Sequence, residues 1–510
     1  MSQATGVATR YNFQVVFFVA LGSLTYGFNN SIMGTVFGLP SFFAYFDLKD
    51  GSSRQTSIEA TTQGIFYAGG IIGCGVVAWL ADKLGRKRSV QIITIACIVS
   101  AAIQAGSVHI AMLLVGRFFN GMGSGMINVI VPLYQSEVSP PKMRGRMVGS
   151  HGFLIVVGYA LAAWTGLGCY YENNPQIQWR LCLALQIVPP LLLVLGSSWL
   201  PESPRWLLAQ HRRDEALKVL NRLDDTDPLH GSREDHVRQE CRLIESQLEL
   251  DSRKPTNLIA VLKNASYRKR FLMGLFVQCL AQSTGVLVIN NYQVILYNGL
   301  GLSGSVPLLL YGVYTTWAAF LNWAGPMIVD RVGRIRMLSV GMIGCALMVS
   351  CEAAMVAQYG GTSNEIGNGF GVLFLFLFVT FYGSCVDAIS YVYCSELFPT
   401  NLRAQGVGLS VMGLFAMTLV YTQAAPVAFA DVGWKYYLVF ILVPAVSTPL
   451  MWFKFPETKG LSLEEIGAFF GDEIADGSDP VRHIDEKGEE GHNKGQKMDV
   501  GECDVVHDDN

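Results

Sequence analysis

One carboxylate sits deep in an otherwise apolar run: Asp387, in the stretch 369–396. Inside a lipid bilayer such a group costs about 2.5–3.5 kcal/mol, so it is retained for proton or ion handling, or as a structural hydrogen-bond acceptor. Both readings stand at this point. Glu352, in the run 336–358, reads as nearer the outer end of its segment. Other apolar runs carry polar side chains suited to hydroxyl groups: Asn29, Asn30, Gln278, Gln282, Asn290, Asn291, Tyr292, Tyr391 and Thr418. Gln282 and Tyr292 read first as ligand contacts. For the others, hydrogen bonding between helices is the competing role. His151 reads as a helix-packing histidine. The chain has no phosphate-cradling Gly-Lys-Ser/Thr loop, no metal-spaced cluster and no nucleophile elbow. We therefore expect neither an enzyme, nor a cofactor, nor ATP as the driver, and no nucleic-acid partner. The 11 cysteines are scattered and read as small buried hydrophobes.

The elements that must position these groups are membrane helices. The chain is 51% hydrophobic and 15% charged over 510 residues, with a mean hydropathy of +0.34, too apolar for an ordinary soluble enzyme. Runs such as 89–108 and 181–200 hold no charge, and about twenty apolar residues span a bilayer as a helix. Twelve spans are predicted, at 13–33, 59–81, 89–107, 110–134, 147–168, 179–200, 270–297, 305–328, 336–358, 369–396, 404–428 and 434–455. Lys and Arg gather in the links after spans 2, 4, 6, 8 and 10, at 83–88, 142–146, 205–270, 331–336 and Arg403. The links 169–178, 298–305 and 359–368 have none. The positive-inside rule then puts both termini in the cytoplasm, with the bilayer as an obligatory partner.

The charged blocks come twice, in one order. Asp82-Lys83-Leu84-Gly85-Arg86 returns as Asp330-Arg331-Val332-Gly333-Arg334; Ser136-Glu137 with Arg144 returns as Ser395-Glu396 with Arg403; Pro201-Glu202 returns as Pro456-Glu457. Two similar membrane halves facing the same way are the mark of a transporter built from parallel repeats, with its substrate between them. The expected fold is an all-α membrane protein with twelve transmembrane helices in two six-helix pseudo-symmetric bundles. We read 1–12 as a cytoplasmic N-terminus, 13–202 as the first bundle, 203–269 as a cytoplasmic helical linker, 270–456 as the second bundle and 457–510 as a cytoplasmic tail. In the linker, two amphipathic sets are expected against the membrane face. One runs from Trp206 and Leu207 through Ala216, Leu217, Val219, Leu220 and Leu223; the other is Val237, Cys241, Leu243, Ile244 and Leu248. From 471 the tail has 13 Asp/Glu against 4 Lys/Arg and no aromatic residue, so it reads as disordered.

These blocks resemble the sugar-porter branch of the major facilitator superfamily, from about residue 27 to 466. The carriers of the resemblance are Asp82, Gly85 and Arg86; Gly116-Arg117 with Gly121, Gly123 and Gly125; Glu137, Arg144 and Gly145; Pro201 to Trp206; Gln278, Gln282 and Gly285; Asp330, Gly333 and Arg334; Glu396, Pro399 and Arg403; and Pro456 to Gly460 with Leu463-Glu464-Glu465. The closing phrase is most similar to fungal members. The resemblance implies two domains rocking around a central site. It also implies a latch in which Glu137 meets Arg403 and Glu396 meets Arg144, while Asp82 and Asp330 cap neighbouring helices near Arg86 and Arg334. Glu202 and Glu457 belong to the same set of gate charges. Static anchoring of topology is the alternative role for all of them.

Family sugar-binding positions are altered here. The first Gln of the usual pair in span 7 is Ala281, with Gln282 kept; the following Asn is Leu287; the usual Tyr pair is Asn291-Tyr292; the Gln of span 5 is Gly152. The usual Gly-Pro of span 10 is Asp387-Ala388, the usual Trp is Tyr391, and Leu414-Phe415 stands in span 11. Proton-coupled relatives carry Asp where this chain has Asn29, which has no proton to release. Its usual partner Arg117 is kept. Asp387 is thus the proton-coupling candidate, with Arg117, against plain facilitated diffusion. The leading expectation is a plasma-membrane carrier of a sugar or sugar-like solute, by facilitated diffusion or proton symport. The alternatives are an exporter of a fungal secondary metabolite, or a non-transporting nutrient receptor.

Overall fold

The computed structural model describes residues 10–49, 52–140, 144–223, 233–252, 263–360, 362, 364–399, 402–459, 466, 469 and 470. The first residues of the N-terminal segment, the Leu463-Glu464-Glu465 phrase and the acidic tail from 471 lie outside the described residues, as do the side chains of Arg144 and Asp330. The chain divides into a unit Met1–Gly460 and a short unit Leu461–Asn510. The membrane spans all belong to the first unit.

Among the described residues the regular structure is helical. Ten stretches are long and apolar enough to cross a membrane: Arg10–Val36, Ser53–Leu84, Arg86–Ala105, Ile110–Val138, Met147–Tyr170, Pro175–Trp199, Ala265–Gly299, Arg334–Tyr359, Ile366–Leu397 and Gln405–Lys454. The last holds two helices, Arg403–Val432 and Tyr437–Lys454. With the 27-residue helix Val306–Val332 the number of spans is twelve. A helix needs about 20 residues to cross the hydrocarbon layer. Large apolar side chains cover the outside, among them Trp79, Leu195, Val446 and Phe453, which is 80% exposed. Such a surface is stable only in lipid, and in lipid the backbone must satisfy its own hydrogen bonds, which helices do.

Several spans differ from the continuous rods the hydropathy predicts. Span 7 breaks after Gln282 and restarts at Val286, with Gly285 at φ +85° between the two pieces. Only glycine takes that conformation without strain. Span 10 is interrupted at Val386, which has φ −119° and ψ −52°, so Asp387 opens the helix Asp387–Leu397. Span 1 is two helices, Arg10–Val19 and Leu21–Val36. Averaged hydropathy cannot see breaks of one to three residues.

Span 2 packs on span 4, span 1 on span 5, span 9 on spans 10 and 12, and span 7 on span 11. The halves meet where span 2 lies along span 11 and where span 5 lies along span 8. Spans 2 and 8 are repeat partners, and so are 5 and 11, so the two seams are equivalent. Small residues set the closest approach. A Cβ on Gly121 would strike the Phe66 carbonyl oxygen, and one on Gly69 would strike that of Phe118.

Between spans 6 and 7, the helices Pro204–Ala209, Arg213–Leu223 and Arg233–Ser252 pack on one another. Trp206, Leu207, Leu208, Ala216, Leu220, Val237 and Cys241 form their core, flanked by Leu217, Val219, Ile244 and Leu248. Leu243, expected on the apolar face, is instead 62% exposed, because the stripe turns away from it. Trp206 Nε1 donates to the Asp82 carbonyl at 2.9 Å, and Asn12 Nδ2 to that of Leu223 at 3.0 Å. These bonds tie the small bundle to spans 1 and 2.

The packing of spans 2 and 4 gives a direct test. Gly121→Ala forces backbones apart and should lower stability by about 1–3 kcal/mol. Gly168→Ala, where a Cβ meets nothing within 4 Å, should change it by less than about 1 kcal/mol. Thermal unfolding of both variants in detergent reads the difference, and equal melting temperatures would refute the packing argument.

Candidate functional site

Polar layers and a cavity lie along the seam between the halves. At the end rich in Lys and Arg, the two repeats build the same device. Gly85 (φ +88°) and Gly333 (φ +109°) end spans 2 and 8 and start spans 3 and 9. The first amides of the new helices are captured by carboxylates from after spans 6 and 12. Arg86 and Lys87 N–H donate to Glu202 at 2.8 and 3.1 Å, and Arg334 and Ile335 N–H to Glu457 at 2.8 and 3.0 Å. An anion at a helix N-terminus is favoured by the unpaired amides and the helix dipole together.

The guanidinium groups then reach the next span. Arg86 holds Glu137 in a two-pronged pair at 2.9 and 3.0 Å, and Arg334 holds Glu396 at 3.2 and 2.8 Å. Asp82 adds a single contact to Arg86 at 3.2 Å, with 70% of its side chain exposed. In this structure both Glu137 oxygens receive the guanidinium of Arg86, in its own half. Glu396 takes both prongs of Arg334 and a further bond from the Thr458 hydroxyl at 2.6 Å. Arg403 is buried. The Arg144 and Asp330 side chains are outside the described residues.

Midway along the seam is a cavity of about 620 Å³, counting its solvent-open part. It is lined by Tyr26 of span 1, Ile155, Val156 and Tyr159 of span 5, Gln282, Val286, Leu287 and Asn290 of span 7, and Tyr314, Thr315, Ala318 and Asn322 of span 8. Span 10 adds Val379, Tyr382, Gly383, Asp387, Ser390 and Tyr391, and span 11 adds Leu414. Both helix breaks open here: Gln282 ends one piece of span 7, and Asp387 begins the second piece of span 10. Gln282 Oε1, Asn290 Oδ1, Asn322 Oδ1 and the Tyr314 hydroxyl are buried without a hydrogen-bond partner. An unmatched buried polar group costs about 1–3 kcal/mol, which a bound molecule can recover. The orientation of Asn322 is set by its Nδ2, which donates to the Ala318 carbonyl at 3.2 Å. Among the described residues the lining contains no Lys, Arg or His.

Of the residues singled out in the sequence, Gln282, Asn290, Tyr391 and Asp387 share this cavity, as do Leu287 and Leu414 at two of the altered family positions. The other polar candidates are not in its lining. Asn291 Nδ2 donates to Tyr67 (2.6 Å), Tyr67 to Asn30 Oδ1 (2.7 Å), and Asn30 Nδ2 to Tyr159 (2.6 Å), a chain through spans 7, 2, 1 and 5. The Ser31 and Tyr311 hydroxyls meet at 2.6 Å and close the same level. Tyr292 donates to the Thr422 carbonyl at 2.9 Å, so its hydroxyl is committed to span 11. Gln278 contacts Cys394 at 3.7 Å, and Thr418 bonds its own helix at Leu414. Asn29 Nδ2 reaches Ser124 at 3.4 Å, and its carbonyl accepts from Arg117 at 2.9 Å. Arg117 also donates to Gln63 Oε1 at 3.2 Å and lies 4.3 Å from the Phe66 ring centre, away from the cavity. Glu352 is buried, with neither carboxylate oxygen bonded. It lies eighteen residues along its helix from Arg334, about 27 Å from the basic end.

Tyr26, Tyr159, Tyr314, Asn322 and Tyr382 were not singled out from the sequence. Tyr314, Ala318 and Asn322 are four residues apart and share one helix face. That stripe is a signal the sequence held, and tyrosine read as core obscured it.

The ion-pair layer gives a prediction. Glu137 and Arg86 side chains are 8% and 9% exposed, and stranding one partner of a buried pair costs about 3–5 kcal/mol. Arg86→Gln should lower the melting temperature of the purified protein strongly. Asp82→Asn, at an exposed carboxylate, should cost under about 1 kcal/mol. Comparable losses in the two variants would contradict the assignment.

Comparison with known proteins gives a consistent picture. The family model "Sugar (and other) transporter" matches residues 15–470. The chain is 33% identical over 456 residues to the MFS-type transporter criB of Aspergillus cristatus, covering 89% of this chain and 92% of that protein. It is 30% identical to the high-affinity glucose transporter of Kluyveromyces lactis, covering 91% and 86%, and 28% identical to the quinate permease of Neurospora africana, covering 90% and 89%. Among solved structures, the proton:xylose symporter XylE bound to 6-bromo-6-deoxy-D-glucose superposes with a TM-score of 0.77 at 21% identity, over 90% of this chain and 99% of that one.

Proposed function

The chain belongs to the sugar (and other) transporter family, and from that premise we propose that it carries an uncharged polyhydroxylated solute, with Asp387 as the group that couples a proton to the movement. The observation that carries this reading is the polarity of the cavity. Its unmatched oxygens on Gln282, Asn290 and Asn322, together with the Asp387 carboxylate, are hydrogen-bond acceptors. They call for a ligand rich in donors, which hydroxyl groups supply. Apolar walls of Ile155, Val156, Val286, Leu287 and Val379 suit the C–H faces of a ring. The quinate permeases among the relatives raise the case of an anionic solute. Among the described residues the cavity lining holds a carboxylate and no cation, which opposes it.

Asp387 suits the proton role because it faces the solute and lies at the first turn of its helix. The Asn322 side chain beside it is a hydrogen-bonding neighbour. Asn29, at the position that is acidic in proton-coupled relatives, cannot fill this role, and Arg117 is held there by carbonyl groups and a ring. The Lys/Arg-rich ends of the spans face the cytoplasm in this reading, and the plasma membrane is its site of action. The Glu137 and Glu396 pairs then steady the cytoplasmic ends of each half during rocking, with Arg403 and Arg144 as the partners they exchange with across the seam.

Uptake by purified protein in sealed liposomes tests the reading. Hexoses, pentoses and polyols are offered with and without an inward proton gradient. Accumulation above equilibrium is expected only with the gradient. Asp387→Asn should abolish that accumulation while sparing solute counterflow, and equal loss of both would assign Asp387 a structural role instead. Quinate and D-glucuronate should compete at least tenfold more weakly than D-glucose; effective competition by either would refute the neutral-solute assignment. Failure of every sugar and polyol by folded protein would remove the sugar reading.

A further inference from the structure

We propose that His151 fixes the direction of the hydrogen bond that Tyr391 offers to the cavity, making that tyrosine a donor to the bound solute. The argument begins at Ser23. Its Oγ lies 2.7 Å from His151 Nδ1, and among the described residues that is its hydrogen-bond contact. Both are shut off from bulk solvent: Ser23 is fully buried and His151 is 1% exposed. A buried hydroxyl hydrogen needs an acceptor, so Ser23 donates and Nδ1 is bare. The other ring nitrogen, Nε2, lies 2.9 Å from Asn128 Oδ1. An amide oxygen only accepts, so Nε2 carries the hydrogen. Both contacts agree on one neutral tautomer.

This arrangement orients Asn128. Facing an N–H, its side chain must present the oxygen to His151, which turns Nδ2 the other way. That Nδ2 donates to the Tyr391 hydroxyl at 3.2 Å. The tyrosine oxygen accepts this bond, and its own hydrogen is left for the cavity it lines. The His151 and Tyr391 rings also meet edge to face at 5.7 Å, which holds the hydroxyl at one place. Without His151, the Asn128 amide could turn over and present its oxygen, and Tyr391 would then spend its hydrogen on Asn128. Ser23, His151 and Asn128 are on spans 1, 5 and 4 of the first half, whereas Tyr391 is on span 10 of the second. The relay thus sets a hydrogen bond across the seam.

The consequence is a specificity rule that rests on the transport reading only in placing the solute in this cavity. The buried oxygens of Gln282, Asn290 and Asn322 accept, whereas Tyr391 gives. The solute must offer donors to those three and an acceptor oxygen to Tyr391; Asp387 accepts when ionised and donates when it carries the proton. His151 is a positioning residue, since it acts through Asn128 and Tyr391.

The tautomer is read first, by ¹⁵N NMR of full-length protein labelled at histidine, with the His151 signals identified by their loss in His151→Gln. The expected result is a protonated Nε2 and an unprotonated Nδ1. A hydrogen on Nδ1 would overturn the proposal. The second readout is competition by D-glucose and its monodeoxy and monodeoxyfluoro derivatives. Fluorine accepts a hydrogen bond and cannot donate one. At one ring position the fluoro derivative should bind roughly threefold to tenfold better than the deoxy derivative. His151→Gln can accept from Ser23 and donate to Asn128, so it should keep that preference, and His151→Leu and Tyr391→Phe should erase it. A preference unchanged in His151→Leu would overturn the relay. The tautomer is measured without solute, so protein that binds no D-glucose would refute the sugar reading while the relay is still judged by the NMR result.

Discussion

A carboxylate that leaves water must be met by fixed donors, and much of this fold is the working out of that constraint. Glu202 and Glu457 are met by the first amides of spans 3 and 9, and Glu137 and Glu396 by the guanidinium forks of Arg86 and Arg334. Each set links three spans of one half: the turn out of span 2 or 8, the end of span 4 or 10, and the segment after span 6 or 12. Tyr134 and Tyr393 add matching bonds to the carbonyls of Pro201 and Pro456, at 2.7 and 3.1 Å. The result is two bundles whose basic ends are internally cross-braced. A bundle braced within itself can move as a body, and rigid-body motion of one repeat against the other is how such folds expose a central site to either side.

The middle of the seam follows the opposite logic. There the helices break, at Gly285 in span 7 and Val386 in span 10, and polar atoms are left unmatched. Irregular backbone at membrane depth is tolerated where it borders a cavity. The unmatched acceptors and the Asp387 carboxylate, with no cation among the described lining residues, are the features on which the proposed neutral, hydroxyl-bearing solute rests. The chain from Asn291 through Tyr67 and Asn30 ends at Tyr159 on the cavity wall and ties spans 7, 2, 1 and 5 together across the seam.

The architecture was legible because it is written in long, repeated signals. Twenty-residue apolar runs mark spans, the Gly85 and Gly333 blocks mark the repeat, and Lys and Arg mark one set of ends. The site was legible only in part. Asp387 and Gln282 stand out as polar groups in apolar runs, and both line the cavity. Asn291 and Tyr292 stand out equally, yet their side chains are spent on Tyr67 and Thr422. Which way a helical side chain points depends on the turn at Gly285, and no count of polar residues gives that. The partners of Glu137 show the same limit. Sequence gives complementary charges at matching places in the two halves, and distance decides that Arg86, four residues after Asp82, is the one that reaches it.

The central claim is that two braced halves rock about the cavity, and intramolecular distances test it most directly. Spin labels at Lys83 and Arg331, both exposed at the basic ends of spans 2 and 8, report the separation of the halves by pulsed dipolar spectroscopy, in protein whose cysteines have been replaced. The account predicts two populated distances whose ratio shifts when transported solute is added, while a label pair within one half keeps a single distance. One unchanging distance between Lys83 and Arg331, in protein shown to transport, would contradict it.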